Sequence, residues 1–176
     1  MTEDRRSSPE DIDPDLLEVA REIFDAARRG EANILAAVIE KGAPPNLRNE
    51  KGDSLVMLAA YHGHADAVRV LLERGADPNL RNDNGQTPIA GAAFKGFKEV
   101  AQTLLAHGAN VEGASPDGRT ALMIAAMFNR TDMVELLLAH GADLNARDAN
   151  GVSAADAASR MGAPDTAALL SKKAGT

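Results

Sequence analysis

The chain has 176 residues and a net charge of −7, with 44% hydrophobic and 26% charged residues, enough for one domain that buries roughly 70% of its unfolded surface. This acidity argues against binding a phosphate backbone, and the lack of cysteine excludes disulfides, thiolate metal sites and cysteine nucleophiles. Aromatics are only 3% of the chain and tryptophan is absent, so the core must be Leu, Ile, Val, Met and Ala, which suits close helix packing better than a β-sandwich.

Residues 1–12, "MTEDRRSSPEDI", read as a polar, disordered tail. Over residues 1–15, Glu3, Asp4, Glu10, Asp11, Asp13 and Asp15 stand against Arg5 and Arg6. The N-terminal stretch holds no apolar core of a secretory leader, and no run of about 18 apolar residues is present, so no membrane span is expected. Asp13 followed by Pro14 predicts a helix start. It opens a first unit, residues 13–48, which lacks the leading turn glycine of the later ones and reads as an N-terminal cap.

From there the chain repeats. Gly52, Gly85, Gly118 and Gly151 are each 33 residues apart, as are Gly42, Gly75, Gly108 and Gly141. The pairs Ala26-Ala27, Ala59-Ala60, Ala92-Ala93 and Ala125-Ala126 keep the same period. A third register position holds Gly30, Gly63, Gly96, Asn129 and Gly162. Asn129 is the non-glycine residue best able to take a left-handed conformation there. The units are 49–81, 82–114, 115–147 and a C-terminal cap, 148–173, with 174–176 expected to fray. Each reads as a glycine turn, a short helix, a glycine stop, a second helix and a Gly-Ala exit. In "GQTPIAGAAFKG", Thr87 is the expected N-cap and Pro88 the first helical residue. Lys41, Arg74, His107 and His140 share a position before the exit, where a cation or donor favours a helix C-terminus.

The segments "GDSLVMLAAYHGHADAVRVLLERGADPN", "GQTPIAGAAFKGFKEVAQTLLAHGAN", "GRTALMIAAMFNRTDMVELLLAHGADLN" and "GVSAADAASRMGAPDTAALL" resemble the ankyrin repeat family. The resemblance covers residues 14–173 and implies an all-α solenoid of five stacked helix-turn-helix repeats with short β-turn fingers. It also implies a protein-binding module rather than an enzyme, although the fold itself does not name a partner. One departure stands out. The family histidine of Thr-Pro-Leu-His is Met57, Ala90, Met123 and Asp156 here, so the turns need another means of support.

The stretch "YHGHAD" brings His62, His64 and Asp66 close in sequence, which suggests a metal or a general base. In the repeat register, His64 is a scaffold position and His62 a variable surface one. A metal-dependent enzyme built on the three residues is the lesser reading, since such sites need a cavity and supporting hydrogen bonds. No G-x-S-x-G, P-loop or G-x-G-x-x-G pattern occurs. No catalytic residue, metal or cofactor is therefore assigned.

In an ankyrin stack the fingers and first helices line a concave surface, and the two residues before each helix-ending glycine face it. These are Arg28-Arg29, Tyr61-His62, Phe94-Lys95, Met127-Phe128 and Arg160-Met161. Tyr61, Phe94, Met127 and Phe128 are the expected anchors, because aromatics and arginine are enriched at binding hot spots and methionine adapts. Arg28, Lys51, Lys95, Arg119 and Arg160 are the expected steering charges, and His62 a contact residue. Six cations against four acids give this face about +2 on an acidic body, more if Arg48, Arg81 and Arg147 also face inward. The expected partner is another protein with an acidic, partly apolar surface. Neither nucleic acid nor membrane is expected. The chain is expected to be cytoplasmic, bacterial and monomeric when unbound. A homo-oligomer closed by the same apolar row is the alternative.

Overall fold

The computed structural model describes residues 14–175. The segment expected to be a disordered acidic tail lies outside the described residues. Ten helices follow in order: α1 Pro14–Arg29, α2 Ala32–Glu40, α3 Leu55–Tyr61, α4 Ala65–Glu73, α5 Pro88–Lys95, α6 Lys98–Ala106, α7 Ala121–Met127, α8 Thr131–Ala139, α9 Ala154–Arg160 and α10 Pro164–Ala174. Extended pairing among the described residues is confined to one antiparallel bridge, between Arg48 and Ser54.

Helices of seven to nine residues, which make up most of these, are marginal alone in water. Packing holds them. First helices stack in one row, α1 on α3, α5, α7 and α9 in succession, and second helices stack in a parallel row, α2 on α4, α6, α8 and α10. The alanine pairs let the rows approach closely: Ala59, Ala60, Ala92, Ala93, Ala125 and Ala126 are all fully buried. Leu71, Leu104, Leu137 and Leu170 recur at 33-residue spacing and are likewise fully buried. This is the all-α solenoid the sequence implied.

The helix starts are set by hydroxyls. Ser54, Thr87, Thr120 and Ser153 each accept a hydrogen bond from the backbone N–H three residues on, at 3.1–3.4 Å. Pro88 occupies the first turn of α5. At α9 the cap is reciprocal, because the Asp156 carboxylate accepts from the Ser153 backbone. Helix ends before the exits are closed by the predicted donors: Arg74, His107 and His140 meet the carbonyls of Val70, Thr103 and Leu136.

Turn support in the absence of the family histidine comes from two other side chains. Asn49, Asn82 and Asp148 each accept, through Oδ1, the backbone N–H groups two and four residues on, at 2.9–3.1 Å. Arg48, Arg81 and Arg147 each donate to the glycine carbonyl four residues on, at 2.7–3.0 Å. Arg48 and Arg81 also reach the next repeat, donating to the carbonyls of Arg81 and Ala114. These arginines are thus committed to holding fingers. The third finger, residues 115–119, has Ala114 and Ser115 at the two clamp positions. It relies on Ser115 pairing with Arg119 and Asp117.

Candidate functional site: the concave groove

Fingers two and three and helices α3, α5 and α7 enclose a groove of about 690 Å³. Its walls carry Tyr61, Phe94, Met127 and Phe128, the four residues expected as anchors, together with Arg119. The aromatic rings face solvent: Tyr61 is 41% exposed and Phe94 and Phe128 each 39%, with Met127 half-buried. Phe94 and Phe128 meet edge to face, with centroids 4.8 Å apart. The Lys95 ammonium lies 4.7 Å from the centre of the Tyr61 ring. Such contacts fix ring positions in advance. The apolar walls therefore have little side-chain freedom left to lose.

The floor consists of Met57, Ala90, Gly91 and Ile124; Met57 and Ala90 are two of the residues that replace the family histidine, and none of the four was expected in a groove. Gly91 lies inside α5, where the neighbouring repeats carry Leu58, Ile124 and Ala157. A Cβ there would meet only the Tyr61 ring edge, at 3.6 Å. The glycine therefore leaves a notch rather than relieving a clash. A conspicuous signal was available, a glycine inside a helical pattern. Across the groove, Pro116 is seated on Gly85, whose φ is +72°, and a Cβ on that glycine would stand 2.5 Å from the proline ring. The rim is polar, with Asn84, Gln86, Ser115 and Asp117. The Ser115 hydroxyl, donating to Asp117, is the main cause holding that carboxyl below the usual range.

A second, smaller hollow of about 150 Å³ continues the row and joins Arg119, Met127, Arg160 and Met161. The expected residues Arg28, Lys51, His62 and Lys95 line neither cavity. Arg28 is paired with Asp25 at 2.6 Å on its own helix. Arg119 lies 3.4 Å from Asp117 and 4.0 Å from Asp148. Lys51, Lys95 and Arg160 form no ion pair among the described residues, so the available positive charge rests on these three.

The histidine cluster does not converge. His64 Nε2 is 2.8 Å from the Arg28 carbonyl, and its ring covers Gly30, whose φ of +73° ends α1. Asp66 pairs with Arg69 at 3.0 Å and points to solvent. His62 stacks loosely on His64, ring centroids 6.4 Å apart. Burial pushes the His62 imidazole below its ordinary value, helped by nearby His64, Arg28 and Lys95. Among the described residues no group of three His, Asp or Glu side chains is placed to hold a metal ion. His64 is a brace between repeats.

The family model described as "Ankyrin repeats (3 copies)" matches residues 23–114 and again 112–176. The chain belongs to the ankyrin repeat family. A Pseudomonas aeruginosa protein named as an ankyrin repeat protein is 55% identical over 51 residues. That match covers 29% of this chain and 30% of the relative, so the relative's remaining length is not represented. Ankyrin repeats are generally protein–protein interaction modules, typically non-enzymatic ones. No helix among the described residues is long and apolar enough to cross a membrane.

Proposed function

We propose that this ankyrin-repeat chain binds another protein through the groove between its second and third fingers. Tyr61, Phe94, Met127 and Phe128 are the anchors. The observation that carries this is the exposure of three aromatic rings side by side in one concave row, in a chain with only five aromatic residues. Isolated exposed apolar residues are ordinary, but a contiguous set lining a cavity marks a contact surface.

The partner's contact surface is partly apolar and acidic at its edge, where it meets Lys51, Lys95 and Arg160. Arg119 and Arg28, already paired with acids, contribute reach and hydrogen bonding more than net charge. His62, neutral at physiological pH, sits beside the row as a contact residue. The chain works as an adaptor, inhibitor or scaffold, as a monomer when unbound. Its lack of cysteine and the bacterial relative support a bacterial cytoplasm as its setting.

The test is capture from source-cell lysate on wild-type chain and on a Tyr61→Ala, Phe94→Ala, Phe128→Ala variant, with circular dichroism verifying that both are folded. A protein retained by wild type and lost by the variant is the expected result. Equal retention by both places the contact elsewhere and rejects the groove. Sedimentation alongside separates a partner from self-association through the same row.

A further inference from the structure

The N-terminal end of the stack differs from the concave row and from the C-terminal end. There α1 and α2 enclose an open groove of about 480 Å³ on the side that faces away from α3 and α4. Its apolar lining is Val19, Ile23 and Ala26 from α1 with Ile34 and Val38 from α2. Val19 is 55% and Ile34 48% exposed, and Leu16, one turn before Val19, is 64% exposed. End repeats of a solenoid normally turn a polar face outward. The last helix does so, with Asp165, Lys172 and Lys173 exposed. The first repeat does not. Its groove is shaped as the seat on which another helix layer would stack, because the opposite faces of α1 and α2 are covered by α3 and α4 in that way.

The rim of this groove is acidic. Glu18 and Glu22 line it on α1, and neither forms an ion pair among the described residues. Glu31 lines it at the start of α2, bound to Arg29 at 3.0 Å. We propose that this end face is a second docking surface, whose occupant is an amphipathic helix of another protein with an apolar stripe flanked by lysine or arginine. Charge decides among the candidates. A second copy docked by the same face would set Glu18 and Glu22 against the same acids, and one docked by its C-terminal end would lay the polar outer face of α10 on the apolar lining. Residues 1–13 bring Glu3, Asp4, Glu10, Asp11 and Asp13 against two arginines, with Met1 and Ile12 as their large apolar side chains. Both are poor complements. A basic amphipathic helix satisfies the apolar lining and the Glu18 and Glu22 carboxylates together. This surface is separate from the concave groove and asks for the opposite charge on its partner.

The test uses the full chain and a synthetic helix of about 15 residues, leucines along one face and lysines on its flanks, with a leucine–glutamate counterpart, both followed by fluorescence anisotropy. The expected result is binding of the lysine peptide alone. Val19→Asn with Ile34→Asn, both at exposed positions and verified as folded by circular dichroism, weakens it by about tenfold or more. Glu18→Lys with Glu22→Lys reverses the preference toward the glutamate peptide. The Tyr61→Ala, Phe94→Ala variant binds as wild type. No binding, equal binding of both peptides, or equal binding by the Val19/Ile34 variant overturns the proposal. So does loss of binding in the concave-row variant, which would put the peptide in the other groove. Self-association of wild type in sedimentation that the Val19/Ile34 variant abolishes assigns the face to a second copy, and overturns it too.

Discussion

At the scale of single residues, the backbone positions that end the first helices carry the clearest demands. Asn129 takes φ 55° where the other repeats use glycine, and its side chain adds what glycine lacks. Oδ1 accepts from the Asp165 and Thr166 backbones, each at 3.1 Å, and Nδ2 donates to the Asp165 carboxylate at 2.8 Å. Asn129→Ala loses the left-handed preference and these bonds together, and is expected to cost roughly 1–3 kcal/mol in urea unfolding. Asn129→Gly keeps the backbone and should cost less. The left-handed role was legible, because asparagine is the non-glycine residue best able to take that conformation. The bonds to the last repeat were not, since they cross 36 residues. His64→Ala leaves the Arg28 carbonyl without its partner and is expected to cost about 1 kcal/mol or more, measured the same way. The folded value of His62 lies below its ordinary 6.5, so the unfolded chain takes up that proton first as pH falls. Stability from this group is complete above the unfolded value and is lost as pH falls toward the folded one. Thermal unfolding at about pH 7 and about pH 5 should therefore show a smaller acid loss for His62→Gln than for wild type; an equal loss would contradict the assignment.

Elements show where local pattern succeeds and where it stops. Helix positions, the Thr87 cap and the 33-residue spacing of the glycines and alanine pairs follow from sequence because each depends on residues within one turn or one repeat. Leu104 is fully buried in the middle of the stack, and Leu104→Ala should cost about 2–5 kcal/mol in denaturant unfolding. The finger clamps were not legible. An arginine at the base of a turn can face a groove or fold back on a carbonyl, and nothing in its spacing decides which. Arg48, Arg81 and Arg147 fold back, which removes them from the charge of the concave face. Gly91 is the reverse case: the residue was visible, but the notch it leaves depends on Tyr61 and Phe94 from two helices. A glycine inside a helix costs about 1 kcal/mol against alanine, and the site has room for a Cβ. Gly91→Ala should accordingly raise the urea midpoint, while narrowing the groove that the partner enters. A drop in the midpoint would show that the glycine is required by packing and not by the groove.

On the scale of the molecule, the stack turns one repeated unit into two chemically distinct surfaces. Register alone placed Tyr61, Phe94 and Met127 in a row, with Phe128 one residue on, because residues one repeat apart must lie side by side in a solenoid. Which of the face's cations remain available was decided by side-chain pairing, Arg28 with Asp25 one turn back on α1 and Arg119 with Asp117 in its own finger, which leaves Lys51, Lys95 and Arg160 open. The open N-terminal face escaped the sequence reading altogether. The degenerate first unit has the composition of a cap, and the exposure of Val19 and Ile34 depends on what packs beyond it. With fingers braced by side-chain clamps and few residues to order, affinity in the concave groove should come from a handful of anchors. The most direct measurement is calorimetric titration of the captured partner with wild type, Phe94→Ala and Arg69→Ala, the last on α4 outside the groove. The concave site predicts that Phe94→Ala loses about 2 kcal/mol of binding while Arg69→Ala binds as wild type. Unchanged affinity for Phe94→Ala, with a loss at Arg69→Ala, would contradict it and move the contact to the second-helix side of the stack.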